Sequence, residues 1–339
     1  MRQKKPHHPA VEITDLTTFI KKWRPIDAWL VEDSDGQFVL PPYHSTIGGD
    51  IFAAYRQTTI KNYGLFLLAL MVICGYFFLI EPKANINQLL VYISLFFIVS
   101  IDALLNILTL KHCQHRAEFC FNLHQSFRKN LLIYLPLFFI IGALQYLGCQ
   151  LLGSTENVII TLGNYYPAIE VSSIWRFIIG PFIHLDIKHW LLNLTATLLF
   201  VSSIPSLASS PSTARNITTP KQLFGIFILG AIFSHIVTYA VNTSIYLGIA
   251  TKNDALVGVS GGSYGILAYA ICYYSFAKKQ FNIVFSLLGL AVFTLISPYL
   301  LQHSITSHTA HISGFIFGLL SYGLVYQSTA SPADQPVPL

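Results

Sequence analysis

The stretch ALVGVSGGSYGILAYA (residues 255–270) opens with Gly258-Val259-Ser260-Gly261-Gly262, a letter-for-letter match to G-x-S-x-G, and runs directly into apolar residues. In soluble hydrolases that spelling places a nucleophilic serine on a strand-to-helix turn. Here it stands at the start of a run long enough to belong to a bilayer-crossing helix. Two fold classes share the motif, and the composition of the whole chain separates them.

Of 339 residues, 53% are hydrophobic and 10% charged, against about 25% charged in ordinary soluble domains. Mean hydropathy is +0.57. A soluble chain this apolar would expose large apolar patches, so a polytopic membrane protein is expected. A soluble α/β-hydrolase would need strands alternating with amphipathic helices, and this chain offers repeated apolar spans instead. The net charge of +5 then reports membrane topology, and no nucleic-acid partner is expected. Cys74, Cys113, Cys120, Cys149 and Cys272 are dispersed, without a C-x-x-C pair, which argues against a disulfide framework or a zinc site. The opening MRQKKPHHPAVEITDL (1–16) is basic but lacks the apolar core of a signal peptide.

Apolar runs of spanning length fall near 64–81, 87–110, 131–152, 188–207, 222–242, 258–276, 282–301 and 309–327. With the N-terminus in the cytoplasm, the inner side holds Arg56, Lys61, Lys111, Arg116, Arg128, Lys129, Arg215, Lys221, Lys278 and Lys279. The outer side holds only Lys83, Arg176, Lys188 and Lys252. This asymmetry predicts both termini inside, with Ser260 at the outer end of the sixth span. A bacterial inner membrane is the expected location. Before the spans, VEITDLTTFIKKWR (11–24) sets Ile13, Leu16, Phe19, Ile20 and Trp23 at roughly helical spacing. That face fits the core of a small soluble subdomain or an amphipathic helix on the inner leaflet. DSDGQFVLPPYHSTIGGD (33–50) reads as loop.

Ionisable or strongly polar groups inside spans are costly, and each asks for a partner or a function. Ser260 begins one predicted helix and His311 stands about one turn into another, both near the outer face. Serine becomes a useful nucleophile when a base takes its proton, and histidine is suited to that near neutral pH. A serine capping a helix beside a carbonyl-bonded histidine is the plainer alternative. Gly261 and Gly265 follow Ser260 on its helix, and Gly314 and Gly318 follow His311 on the other, each pair four apart. Such faces let two helix backbones approach closely. His189 and Asn193, also four apart, share a helix face and can both donate to a developing oxyanion. His184 and His189 fit a metal poorly, because no third ligand stands at suitable spacing. Tyr264, four residues after Ser260, is placed either to stack on His311 or to sit in an interfacial aromatic belt. Ser263, His303, Ser304, Thr306, Ser307, His308 and Thr309 suit either a polar opening toward water or a solvated loop. His235 also lies within a span.

Together these residues resemble the rhomboid family of intramembrane serine proteases. GVSGGSYG (258–265) is similar to the family's G-x-S-G turn with its following tyrosine, and AHISGFIFG (310–318) to A-H-x-x-G-x-x-x-G. HLDIKHWLLN (184–193) is similar to H-x-x-x-x-H-x-x-x-N, and Trp175-Arg176 to the pair in the long outer loop. The resemblance spans roughly 130–327 and implies an all-α polytopic membrane fold with a six-helix core, here preceded by two extra transmembrane helices. It implies Ser260 as nucleophile and His311 as base. It also implies His189, Asn193 and the Ser260 backbone N–H as oxyanion hole, with His184, Tyr264, Gly258, Trp175 and Arg176 in support. It further implies transmembrane protein substrates, contact with membrane lipids, and no cofactor or metal. A catalytically inactive, rhomboid-like protein that binds membrane helices is the alternative. The expected organisation is an N-terminal cytoplasmic or membrane-surface region at 1–62 and two extra spans with a basic loop at 63–129. The protease core then covers 130–327, with a tail at 328–339. Asp102 has no role in the resemblance and is read as a buried, hydrogen-bonded residue or a helix-packing contact.

Overall fold

The computed structural model describes residues 1–5, 8–79, 86–205, 218–244, 255–300 and 308–329. Lys83, Arg215, Lys252, His303, Ser304, Thr306 and Ser307, invoked above, lie outside the described residues. In chain order the elements are β1 (Arg2–Lys4), β2 (Val11–Glu12), α1 (Leu16–Lys22), β3 (Leu30–Glu32), β4 (Phe38–Val39) and α2 (Gly48–Leu79). There follow α3 (Ile86–Leu108), α4 (Leu110–Leu152), α5 (Thr155–Leu162), β5 (Asn164–Tyr165), α6 (Arg176–Ile179) and α7 (Ile187–Ser202). The chain continues with α8 (Pro220–Ser244), β6 (Ala255–Leu256), α9 (Ser260–Cys272), α10 (Phe281–Leu300) and α11 (His308–Thr329). Among the described residues, Leu110–Leu152 and Pro220–Asn242 contain stretches long and apolar enough to cross a membrane.

The described part of each apolar run lies mainly on one helix, the sixth run being shared between α9 and a π-helical turn at Tyr273–Ala277, and two helices begin well before their runs. The third run, at 131–152, is the second half of α4, a continuous helix of 43 residues. Hydropathy marks the polar part as a loop, yet no Gly or Pro occurs between Pro82 and Pro136 to break it. Similarly, α2 starts at Gly48, sixteen residues before the apolar run, because Ile51, Tyr55 and Thr59 form a buried stripe at helical spacing. Segment 33–50 is therefore not all loop. It contains β4, a 3₁₀ turn at Pro41–Tyr43 and the start of α2.

The chain divides into two compact units, residues 1–125 with 274–304, and residues 126–273 with 305–339. In the first, an antiparallel sheet of order β2-β1-β3-β4 lies among the N-terminal segments. Trp23, Val31, Ile47, Ile51, Tyr55, Cys113 and Ala117 make a small core, with Ile13, Phe19 and Ile20 packed on it. The apolar face of α1 is thus a core face, and Leu16 is its exposed member. The two- and three-residue strands carry too few residues to announce themselves by alternation.

Asp102 is the polar centre of this unit. Its carboxylate accepts two bonds from the Arg116 guanidinium, at 2.8 and 2.6 Å, one from Tyr63 Oη at 2.8 Å, and one from Ser286 Oγ. Asn106 and Asn282 extend the network, so α2, α3, α4 and α10 all contribute. A buried carboxylate is tolerable only when paired and fully hydrogen-bonded. Asp102→Ala should therefore destabilise the protein by about 3–5 kcal/mol, the usual cost of stranding a buried charge. Arg116→Ala should cost about as much, and the double variant less than the sum of the two. Thermal unfolding in detergent measures all three, and strictly additive losses would mean that the two charges are not coupled.

Candidate active site

The turn before Ser260 is shaped by Gly258, whose φ of +100° lies where side chains are strongly disfavoured. A Cβ there would also strike the His189 ring and stand 3.2 Å from Asn193 Nδ2. Gly258 therefore permits both the turn and the approach of α7. Ser260 is the first residue of α9, and N–H groups of the first helical turn have no partner within the helix. They sit at the positive end of the helix dipole.

His311 lies in the first turn of α11. Its Nε2 is 2.9 Å from Ser260 Oγ, so the hydroxyl donates to the ring. The ring proton then resides on Nδ1, which is buried without a hydrogen-bond partner among the described residues. The Tyr264 ring lies against the imidazole, with centroids 4.4 Å apart and planes 17° from parallel. Phe200 meets Tyr264 edge-on at 6.3 Å. An aromatic stack orients this histidine, where triads use a carboxylate.

The short Ser–His distance depends on glycine. A Cβ at Gly314 would fall on the backbone of Gly261, and one at Gly318 on the Gly265 carbonyl and 2.9 Å from Ala268 Cβ. On the other flank, a Cβ at Gly262 would fall on the Phe227 carbonyl, and one at Gly261 on the Ser234 side chain. Helices α8, α9 and α11 therefore meet nearly backbone to backbone.

Helix α7 supplies donors from the other side. Asp186 caps it by accepting from His189 N–H at 2.8 Å. The Leu185 N–H points at His189 Nδ1 from 3.5 Å, which favours a proton on Nε2, the nitrogen beside Gly258. Asn193 Nδ2 is buried with no hydrogen-bond partner among the described residues. Ser263 is buried and bonded to Thr197 Oγ1 at 2.7 Å, and Thr197 donates to the Asn193 carbonyl at 2.7 Å. Ser263 therefore does not line a polar opening. It ties α9 to α7, while His308 is exposed and Thr309 half-buried.

The remaining sequence-derived residues hold the loop between α4 and α7. His184 is buried, with its ring 5.2 Å from that of His189, and its Nδ1–H donates to the Phe182 carbonyl at 3.2 Å. Burial first, and the neighbouring His189 second, push its pKa down to about 3, so the ring is neutral. Gln145 grips the His184 backbone with two bonds, of 2.7 and 2.8 Å. Arg176 donates to the carbonyls of Ile160 and Gly163, both at 2.8 Å, closing the end of α5, and lies 5.1 Å from the Trp175 ring. Trp175 and Arg176 thus shape the loop rather than join the Ser260–His311 pair. Gln145 and Thr197 escape the sequence reading, although a glutamine inside an apolar span is itself a signal.

Fold and site define the class: a helical membrane protein with a part-buried serine–histidine pair at the mouth of one helix. Residues 171–328 match the family model of the Rhomboid domain, a polytopic all-α membrane fold. That match covers just under half of the chain and makes it an integral membrane protein similar to the rhomboid family. The family is one of intramembrane proteases, and the match includes all the site residues named from sequence. No curated protein and no solved structure matches the chain.

The glycine contacts generate a paired test. Gly314→Ala forces α11 away from Gly261, whereas a Cβ at Gly323 meets nothing within 4 Å. A displacement of about 1 Å between reacting groups can cost about 100-fold in rate. Gly314→Ala should slow fluorophosphonate labelling of Ser260 by about that factor, and Gly323→Ala should leave it unchanged. Equal rates for both would show that the close helix contact does not set the dyad.

Proposed function

We propose that this chain is an intramembrane serine endopeptidase that uses a Ser260–His311 dyad to hydrolyse peptide bonds in or near transmembrane segments. The observation that carries the reading is the 2.9 Å bond between His311 Nε2 and Ser260 Oγ, with Tyr264 stacked on the imidazole. His311 removes the hydroxyl proton as Ser260 attacks the carbonyl carbon, and returns it to the leaving amine. Negative charge develops on the carbonyl oxygen during the attack and returns to the carbonyl as the C–N bond breaks. His189, Asn193 and the Ser260 N–H are the donors that stabilise it. A buried donor without a partner, as Asn193 Nδ2 is among the described residues, costs about 1–3 kcal/mol in the resting protein. A transition-state oxyanion would relieve that penalty. His184, Gly258, Trp175 and Arg176 act through the loop and the turn. The second step needs water, so the site opens to the outer aqueous phase. The distribution of Lys and Arg supports both termini in the cytoplasm. A bacterial inner membrane is the location proposed.

The alternative of an inactive helix-binding protein is disfavoured by the presence of both Ser260 and His311 in bonding contact. Ser260→Ala and His311→Ala should each abolish cleavage and fluorophosphonate labelling, and the double variant should be no worse than either alone. Normal turnover by either single variant would overturn the assignment, and a wild-type chain that takes no label would favour the inactive reading.

Substrate preference follows from helix chemistry. A carbonyl within a helix already accepts a backbone bond and is shielded by side chains. Local unwinding must precede attack, and it is easiest near the outer surface, where water satisfies the freed groups and Gly, Ser or Pro weaken the helix. Preferred substrates should carry a small residue at the scissile bond and helix breakers just after it. In a single-span reporter, replacing those breakers with leucine should slow cleavage. Equal rates, or a cut at the cytoplasmic end, would contradict both the mechanism and the orientation.

A further inference from the structure

His235 lies within α8 and is fully buried, as is Asn164 of β5. Neither belongs to the machinery above, yet an ionisable side chain inside an apolar helix requires a reason. The His235 ring is bonded at both nitrogens. Nε2 is 3.1 Å from the carbonyl oxygen of Gly258, and Nδ1 faces the Asn164 side-chain amide. A carbonyl only accepts, so Nε2 carries the proton and donates to Gly258. Nδ1 is then the acceptor, and Asn164 Nδ2–H donates to it. Both bonds are satisfied by one neutral tautomer.

The carbonyl so held belongs to the left-handed glycine two residues before Ser260. Fixing the Gly258 carbonyl fixes ψ of that residue and, through the planar peptide, directs the Val259 N–H to the opposite side. The same glycine is packed against His189 and Asn193. One hydrogen bond from α8 therefore sets the orientation of the turn between the proposed oxyanion donors and the proposed nucleophile. Asn164 is itself anchored. Its residue pairs with Leu256 in the β5–β6 ladder, and a Cβ at Gly180 would stand 2.9 Å from Asn164 Cγ, so the outer loop is moulded around it.

We propose that His235 is a positioning residue of the hydrolytic site, locking the Gly258 turn through its carbonyl while Asn164 holds the ring in the required tautomer. The inference rests on the protease reading above. It is tested by the rate of fluorophosphonate labelling of Ser260 per folded molecule, with the maximal rate and the half-saturating concentration measured separately. His235→Leu removes both bonds and should lower the maximal rate by about 100-fold, the scale of a small misplacement of reacting groups. The half-saturating concentration should barely change. His235→Gln, which can still donate to Gly258, should recover most of the rate. Asn164→Ala should lower the maximal rate by a smaller factor.

A His235→Leu protein that is less stable but labels at the wild-type rate per folded molecule would make His235 merely structural and overturn the proposal. So would a His235→Gln protein no faster than the leucine variant. If the leucine variant does not fold, the other two decide. A slow His235→Gln protein, or an Asn164→Ala protein with wild-type kinetics, overturns the lock, and the opposite pattern supports it. A wild-type protein that takes no label at all overturns the protease reading itself, and this inference with it.

Discussion

A serine side chain is short, and helices packed through ordinary side chains keep their axes about 8–10 Å apart. A hydrogen bond between a serine at the start of one helix and a histidine one turn into another therefore needs a helix pair that comes unusually close. Here Gly261, Gly262 and Gly265 face Gly314, Gly318 and the backbone of α8, and almost any side chain on these faces would collide with main chain. The Ser260–His311 bond, the stack of Tyr264 on His311 and the seat of Ser234 against Gly261 all depend on that contact. Because an apolar solvent supplies no hydrophobic drive between helices, close van der Waals packing is also the interaction that holds α9 and α11 together.

The second constraint is the crossing of α7 over the Gly258 turn. Asp186 fixes the start of α7, Gln145 fixes the His184 backbone before it, and the Ser263–Thr197–Asn193 chain fixes its middle to α9. Three anchors surround a donor that has no partner among the described residues, which is the preorganisation that the proposed hydrolysis requires. In the proposed hydrolysis, stability and function pull in opposite directions at Asn193, as is common where a fold reserves a buried donor for a ligand.

The unit of residues 1–125 with 274–304 is organised on a different principle. Its N-terminal part has a small hydrophobic core of Trp23, Val31, Ile51 and Tyr55, while its long helices gather around one carboxylate. Asp102 satisfies Arg116, Tyr63 and Ser286 together, which is how a charge becomes compatible with an apolar helix bundle. Hydropathy flags Asp102 as an anomaly in its span. The partners lie 14, 39 and 184 residues away, and only the folded chain brings them together.

Membrane class, the resemblance to the rhomboid family and the candidate site residues were legible in the sequence because each rests on short-range information. Apolar run length, the G-x-S-x-G turn, i to i+4 pairs such as Ser260 with Tyr264 and His189 with Asn193, and the two glycine pairs all act within one or two helical turns. Helix limits were less legible. The polar half of α4 and the first half of α2 are helical for reasons of propensity and burial that a hydropathy window ignores. The short strands and the partners of Ser263, Gln145, Asp102 and His235 were not legible, since they join residues far apart in the chain. By itself, then, the sequence determined that the chain is a membrane protein and which helices bear the candidate residues. Tertiary structure decided which polar groups are spent on holding the fold and which are left over, because hydrogen-bond partnership is set by distance in space, and one backbone sequence allows many such pairings.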